Sequence, residues 1–254
     1  MTPGPTWHPV DWSIVGPALL AGLLVLATHV PLGRHVLRKG IVFMDLAVAQ
    51  IAGLGVVLAS ALGLDPHGWE LQACAAGAAL AGAGALLAME RHWPDVQEAL
   101  IGVLFVLASS TAILLLANHP HGGEHLKDLL VGQILWVSTA QLQAMAALTA
   151  LLLLAWWRLP TRWRRGGFYV VFALAVTASV QLVGVYLVFS SLILPALAVR
   201  HLASSGRGLA WAYGLGGLAY GLGLTLSAMF DLPSGALIVV CMAGICLIGA
   251  RPRP

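Results

Sequence analysis

Apolar residues fill this chain in long blocks, and the breaks between them are short and carry nearly all of the charge. A helix needs about twenty predominantly apolar residues to cross a bilayer. Read at that length, the blocks predict about nine spans: 13–33, 41–62, 70–89, 96–118, a fifth that starts after 129 and ends near 157, two that share 168–200, then 209–230 and 234–250. The shared run is about 33 residues, long for one span and short for two. It predicts two short or broken segments, with Gly184 near the turn between them. Pro195 is expected to break the return, because proline lacks the N–H that a helix interior uses.

The breaks orient this map. With the N-terminus outside and the spans alternating, the inner side holds Arg34, Arg38, Lys39, Arg91, Arg158, Arg162, Arg164, Arg165, Arg200, Arg207, Arg251 and Arg253. That is 12 of the 13 Lys and Arg, leaving Lys127 outside. Cytoplasmic loops of membrane proteins carry this excess of cations, and an even number of spans would destroy the sorting. The expectation is an all-α polytopic helix bundle, N-terminus outside and C-terminus cytoplasmic, with residues 1–254 forming one transmembrane domain.

Composition agrees. Of 254 residues, 59% are hydrophobic and 9% charged, against about 25% charged in a soluble domain. The net charge of +3 lies in short loops, where it reads as a topology signal and not as a nucleic-acid surface. Cys74, Cys241 and Cys246 lie in apolar runs without CxxC spacing and read as small hydrophobes. The first eleven residues hold no basic n-region, so no cleavable signal is expected, and Trp7, His8, Asp11 and Trp12 suit a membrane interface. There is no Walker motif, which excludes ATP hydrolysis by this chain alone. The Ala- and Gly-rich run after Gln72 and the GxxxG of Gly217 and Gly221 offer small faces for close helix approach. Packing within the chain is the expected use of those faces.

Three features could carry chemistry. Asp45 is the one acid inside an apolar span, and it follows the basic group Arg34, His35, Arg38 and Lys39. A carboxylate in hydrocarbon costs several kcal/mol unless it faces protein or water. Either it pairs with Arg38 or Lys39, or it faces a hydrophilic path where it attracts a cation. Gln50 adds a neutral oxygen, but five residues on it stands some 140° round the helix. The second feature is the outer loop NHPHGGEHLKD, in which His119, His121 and His125 cluster with Glu124. Imidazole and carboxylate suit zinc and other divalent transition metals, so the loop is either an exposed polar loop or a metal-attracting funnel. His29, inside the first span, reads as a satisfied packing histidine. The third is the inner stretch with Arg200, His201 and Arg207, short and polar enough to dock a cytoplasmic partner.

Several blocks resemble a known family, the permease subunits of the zinc/manganese/iron class of ATP-binding-cassette importers. They are VQLVGVYLVFSSLILPALAVR, LSAMFDLPSGALIVV and LKDLLVGQILWVSTAQL, together with Arg34 to Ala59, and they occur in the family's order across most of the chain. In the opening block the family carries an Asp followed four residues later by a His, both facing the path and contacting metal. Here Asp45 stands for the Asp, and Ala49 or Gln50 stands where the His would be. In either register the histidine is gone, so the resemblance is to a divergent member, and a site of carboxylate and amide oxygen is less zinc-like.

The resemblance implies the rest of a machine. Two permease copies line a central path in a bacterial inner membrane. A cytoplasmic ATPase docks on the inner loops, at Arg200, His201 and Arg207. An extracytoplasmic solute-binding protein delivers the metal. The permease is no enzyme and holds no permanent cofactor; the divalent metal is cargo, its partners otherwise are membrane lipid, and nucleic acid is not among them. The competing class is a stand-alone secondary cation transporter or channel with Asp45 as the coupling acid. The lack of an evident internal repeat and the scarcity of other intramembrane acids weigh against it. A membrane-embedded enzyme would need more converging polar groups than one acid and scattered histidines.

Overall fold

The computed structural model describes residues 11–64, 68–116, 130–160, 164–202 and 206–249. Its elements are the helices α1 (Trp12–Lys39), α2 (Met44–Ala61), α3 (Trp69–His92), α4 (Gln97–Leu116), α5 (Thr139–Arg158), α6 (Arg164–Val183), α7 (Val185–Ala198), α8 (Gly206–Phe230) and α9 (Ser234–Gly249). Short 3-10 turns stand at Pro94–Val96, Ile134–Trp136 and Arg200–Leu202. No strand occurs among the described residues. Among the described residues seven helical segments are long and apolar enough to cross a membrane, while α7 and α9 have 14 and 16 residues.

The pair α6 and α7 breaks at Gly184, where the sequence placed a turn (φ 80, ψ 163). Pro195 does not break the return. It lies inside α7, close to the helix end at Ala198. The ring removes the donor that would serve the Ser191 carbonyl one turn earlier, yet the helix runs on to Ala198. The fifth span also starts later than its apolar run. Residues after Gly132 form a 3-10 turn, and α5 begins at Thr139 behind a capping box. Gln141 N–H donates to Ser138 Oγ (3.2 Å), and Ser138 N–H donates to the Gln141 side chain (2.9 Å). Two orphan donors of the helix start are thereby satisfied.

Small residues decide how closely the helices approach. A Cβ added at Gly55 would sit 2.7 Å from Ala78 Cβ, so α2 and α3 meet nearly backbone to backbone. On α8 the tight contacts belong to Gly216, against Leu26 of α1, and Gly223, against Ile238 of α9. The GxxxG pair is not the seam: Gly217 meets only Leu23 at ordinary contact, and Gly221 has nothing within 4 Å. Gly55, Gly216 and Gly223 thus serve packing within the chain, while the GxxxG face does not.

Polar groups inside the bundle are mostly spoken for. Tyr220 Oη and Ser191 Oγ lie 2.9 Å apart, tying α8 to α7, and Gln97 Nε2 donates to Tyr169 Oη at 3.0 Å. His29 is fully buried and only half satisfied: Nδ1 is 2.9 Å from the Val25 carbonyl, while Nε2 has no partner. At the N-cap of α1, Asp11 accepts the Ser13 N–H (2.9 Å) and hydroxyl (2.7 Å), which hold its carboxyl below the ordinary range.

Pro31 inside α1 leaves the Ala27 carbonyl without its helical donor. Tyr213 of α8 fills the gap, its Oη donating to that carbonyl at 3.1 Å. Tyr213→Phe should therefore cost about 1 kcal/mol, the usual worth of one such bond. In a Pro31→Ala background, where the helix supplies its own donor, most of that cost should vanish. Thermal melting of the four proteins in detergent reads the cycle, and an undiminished cost in the Pro31→Ala background would show that Tyr213 does not act through this carbonyl.

Candidate functional site

A cavity of about 880 Å³ lies between α2, α4, α7 and α9. Its α2 wall is Leu46, Ala49, Gln50 and Gly53, with Phe43 just ahead of the helix. That spacing of three, one and three is a single helical face. Opposite stand Phe105, Ser109, Ala112 and Ile113 of α4, Tyr186, Phe189 and Ser190 of α7, and Ala236, Val239 and Val240 of α9. The walls are apolar with four polar exceptions: the Gln50 amide and the hydroxyls of Ser109, Tyr186 and Ser190. Among the described lining residues there is no carboxylate, imidazole or thiol. Neutral oxygens bind cations weakly, and they are hard donors.

Asp45 is not on this wall. One residue before Leu46, it is rotated about 100° away and is only 1% exposed. Neither of its oxygens has a hydrogen-bond partner. It sits in the first turn of α2, where unpaired N–H groups and the helix dipole favour negative charge. Glu98 of α4 reaches the same helix end: its Oε1 accepts the Phe43 N–H at 3.2 Å, and its Oε2 is buried without a partner. Lys39 cannot serve as the partner of Asp45, because its Nζ lies 2.8 Å from Glu90 Oε1. That ion pair corrects the expected Lys39 alternative. The structure therefore separates Asp45 from Gln50, in keeping with their five-residue offset. Ala49 and Gln50 both face the cavity.

The cavity borders a backbone junction. Leu130, Val185 and Ala236 line it, and each is within two residues of a glycine: Gly132, Gly184 and Gly235. A Cβ on Gly132 would fall on the Val183 carbonyl, one on Gly184 would lie 2.8 Å from the Leu130 carbonyl, and one on Gly235 would fall on the Val131 carbonyl. Three separate chain segments thus cross with no side chain between them.

His119, His121 and His125 lie outside the described residues, in the sequence that follows α4. Arg200, His201 and Arg207 are all exposed. The first two stand in the 3-10 turn after α7, and the third is the second residue of α8. A Cβ on Gly208 would fall on the Leu202 carbonyl, so turn and helix start pack together as one short surface. Sequence reasoning missed Glu98, Ser109, Tyr186 and Ser190. Tyr186 and Ser190 are four apart and share a face of α7, which their spacing could have indicated. Ser109 carries no such signal. Among the described residues no group of three or more His, Cys, Asp and Glu is placed to hold a metal.

Comparison with known proteins gives the following. The sequence model of the ABC 3 transport family matches residues 11–160 and 157–251. A probable iron transport system membrane protein of Haemophilus influenzae is 25% identical over 265 residues, covering 95% of this chain and 94% of the relative. The high-affinity zinc uptake system membrane protein ZnuB of the same organism is 23% identical over 267 residues, covering 95% and 98%. Among solved structures, a chain of PsaBC from Streptococcus pneumoniae, in complex with a Fab, superposes with a TM-score of 0.76. The identity there is 22%, with 95% of this chain and 92% of that chain covered, so the likeness is one of fold.

Proposed function

This chain belongs to the ABC 3 transport family, and we propose that it is the permease through which an importer moves zinc, manganese or iron into the cytoplasm. The observation that carries the reading is the family match over nearly the whole chain. The 880 Å³ cavity, with its sparse oxygen lining, supports it. A carrier needs sites that a cation can enter and leave, and Gln50, Ser109, Tyr186 and Ser190 offer neutral oxygens of that kind. Asp45 and Glu98, at the end of the helix that carries Gln50, act on the cation by their field and not by lining the cavity. The relatives named for iron and for zinc leave the choice of metal to experiment.

In this reading two copies of the chain face each other across the path, and a separate ATPase seats on Arg200, His201 and Arg207. ATP binding and hydrolysis switch the pair between outward- and inward-open states. A solute-binding protein delivers metal to the outer side, and the histidine loop concentrates it there. The permease itself catalyses no covalent step. The distribution of Lys and Arg supports an N-terminus on the outside.

The test is uptake in proteoliposomes that hold the chain and its cognate ATPase, with zinc, manganese and iron supplied in turn. Uptake of one of them that needs ATP is the expected result. ATP-independent uptake by the chain alone would instead make it a secondary transporter. In the same assay, replacing His119, His121 and His125 together should slow uptake at low external metal and leave it unchanged at saturating metal. Equal rates at every concentration would remove the loop from the pathway.

A further inference from the structure

The turn that leads into α2 is gripped by a neighbouring corner of the fold. Only Gly40 to Phe43 separate α1 from α2. Gly40 closes α1 in the left-handed region (φ 73), and Phe43 stands at the N-cap of α2 with no side-chain capping bond of its own. Phenylalanine has no oxygen to offer there. Leu46, at the third position of the helix, cannot complete a capping box either. The start of α5 shows what α2 lacks: Gln141, at the third position, accepts the N–H of its own N-cap residue at 2.9 Å.

On α2 that bond comes from another helix. Glu98 Oε1 accepts the Phe43 N–H at 3.2 Å. From α4, Glu98 thus does what the third residue of a capping box does within one helix, and its carboxyl group stands at the positive end of the α2 dipole. Leu46 is thereby left to form cavity wall, with Phe43 ahead of it and Ala49, Gln50 and Gly53 beyond.

Glu98 is itself well placed. Its neighbour Gln97 is buried in the first turn of α4 and donates to Tyr169 Oη of α6 at 3.0 Å. At the end of α3, Glu90 holds the last residue of α1 through Lys39 Nζ at 2.8 Å. The α3–α4 corner therefore grips both ends of the α1–α2 connection. Glu98 also shares the cavity side of α4: Phe105, Ser109 and Ala112 stand within about 40° of it round the helix. The bond to Phe43 thus ties the α2 and α4 walls together at one end of the cavity.

We propose that Glu98 is a positioning residue for transport: through the Phe43 N–H it sets α2 against α4, and so sets the Gln50 amide in the cavity. This rests on the transport reading above, in which Gln50 offers an oxygen to the cation. Any field of Glu98 needs its charge, whereas this bond needs only an acceptor oxygen, and substitution separates the two.

The experiment compares Glu98→Ala and Glu98→Gln with the parent, each reconstituted with the cognate ATPase. ATP-dependent uptake is measured per folded protein over a range of concentrations of the metal that the parent takes up, and amide hydrogen exchange is followed in the peptide covering residues 40–46. Glu98→Ala should raise the metal concentration for half-maximal uptake about tenfold, the scale of a lost outer partner of a metal site, and should speed exchange in that peptide. Glu98→Gln keeps an acceptor oxygen, so exchange should stay at the parent rate and the half-maximal concentration within about threefold. If Glu98→Ala does not yield folded protein, Glu98→Met takes its place, keeping the length of the side chain without an oxygen. Glu98→Gln matching Glu98→Ala in half-maximal concentration would leave only the charge at work and overturns the proposal. A lower yield of Glu98→Ala with an unchanged half-maximal concentration, or unchanged exchange, also overturns it. A parent that takes up no metal with ATP overturns the transport reading, and this role with it.

Discussion

Gly184→Ala is expected to prevent accumulation of the folded protein, with a loss of at least about 3 kcal/mol from backbone strain and overpacking together. Gly184 holds φ 80 and ψ 163, a region that only glycine occupies comfortably. Its missing side chain is also where another segment runs, because an added Cβ would fall among Val131, Gly132 and the Leu130 carbonyl. Gly132, at φ 71, faces it with the same demand. No flexible side-chain end is present to give way, so relief requires moving α6 and α7 off the 130–132 segment. Gly221→Ala is the control. It sits in α8 with nothing within 4 Å and should be neutral or should stabilise by up to about 1 kcal/mol through helix propensity. Yield and melting temperature of both variants in detergent decide the matter. If Gly184→Ala melts with Gly221→Ala, the junction is not rigid.

That junction explains why some of the chain was legible and some was not. Gly132, Gly184 and Gly235 each lie in a block that drew attention in the sequence, and they are far apart along it. The structure brings the three to one crossing, so the blocks mark a backbone contact as much as a transport function. The helix blocks themselves were readable because bilayer thickness sets their length and the charged breaks set their ends. The start of α5 was not, since Leu130 to Val137 is as apolar as a span but is spent on the junction and a 3-10 turn. Helix faces were the hardest to infer. In a soluble bundle a polar side marks the surface, but here α9 is apolar all round, and α4 and α7 carry too few polar residues to mark an outer side. The GxxxG of α8 misled for the same reason: small residues signal that close approach is allowed, not which face makes it.

Asp45→Asn should lower uptake by about tenfold or more while leaving yield and melting temperature near those of the parent protein. The size follows what groups just behind a metal's direct contacts usually contribute. On the proposed pathway Asp45 takes that place, since it is buried beside the cavity wall and does not line it. Asparagine has nearly the same shape, so packing is preserved and only the ionisable carboxyl is lost. Folding should tolerate the loss, because no hydrogen bond to either oxygen is broken and the dipole of α2 is also served by Glu98 at Phe43 N–H. Gln50→Ala separates field from contact. It removes an oxygen from the wall and leaves the charge, so it should change the apparent affinity for metal more than the maximal rate. Asp45→Asn should do the reverse if its field steadies the cation during the switch between states. Parent-level uptake in Asp45→Asn would leave Asp45 as a helix-end carboxylate only, and the pathway would then rest on the neutral oxygens of α2, α4 and α7.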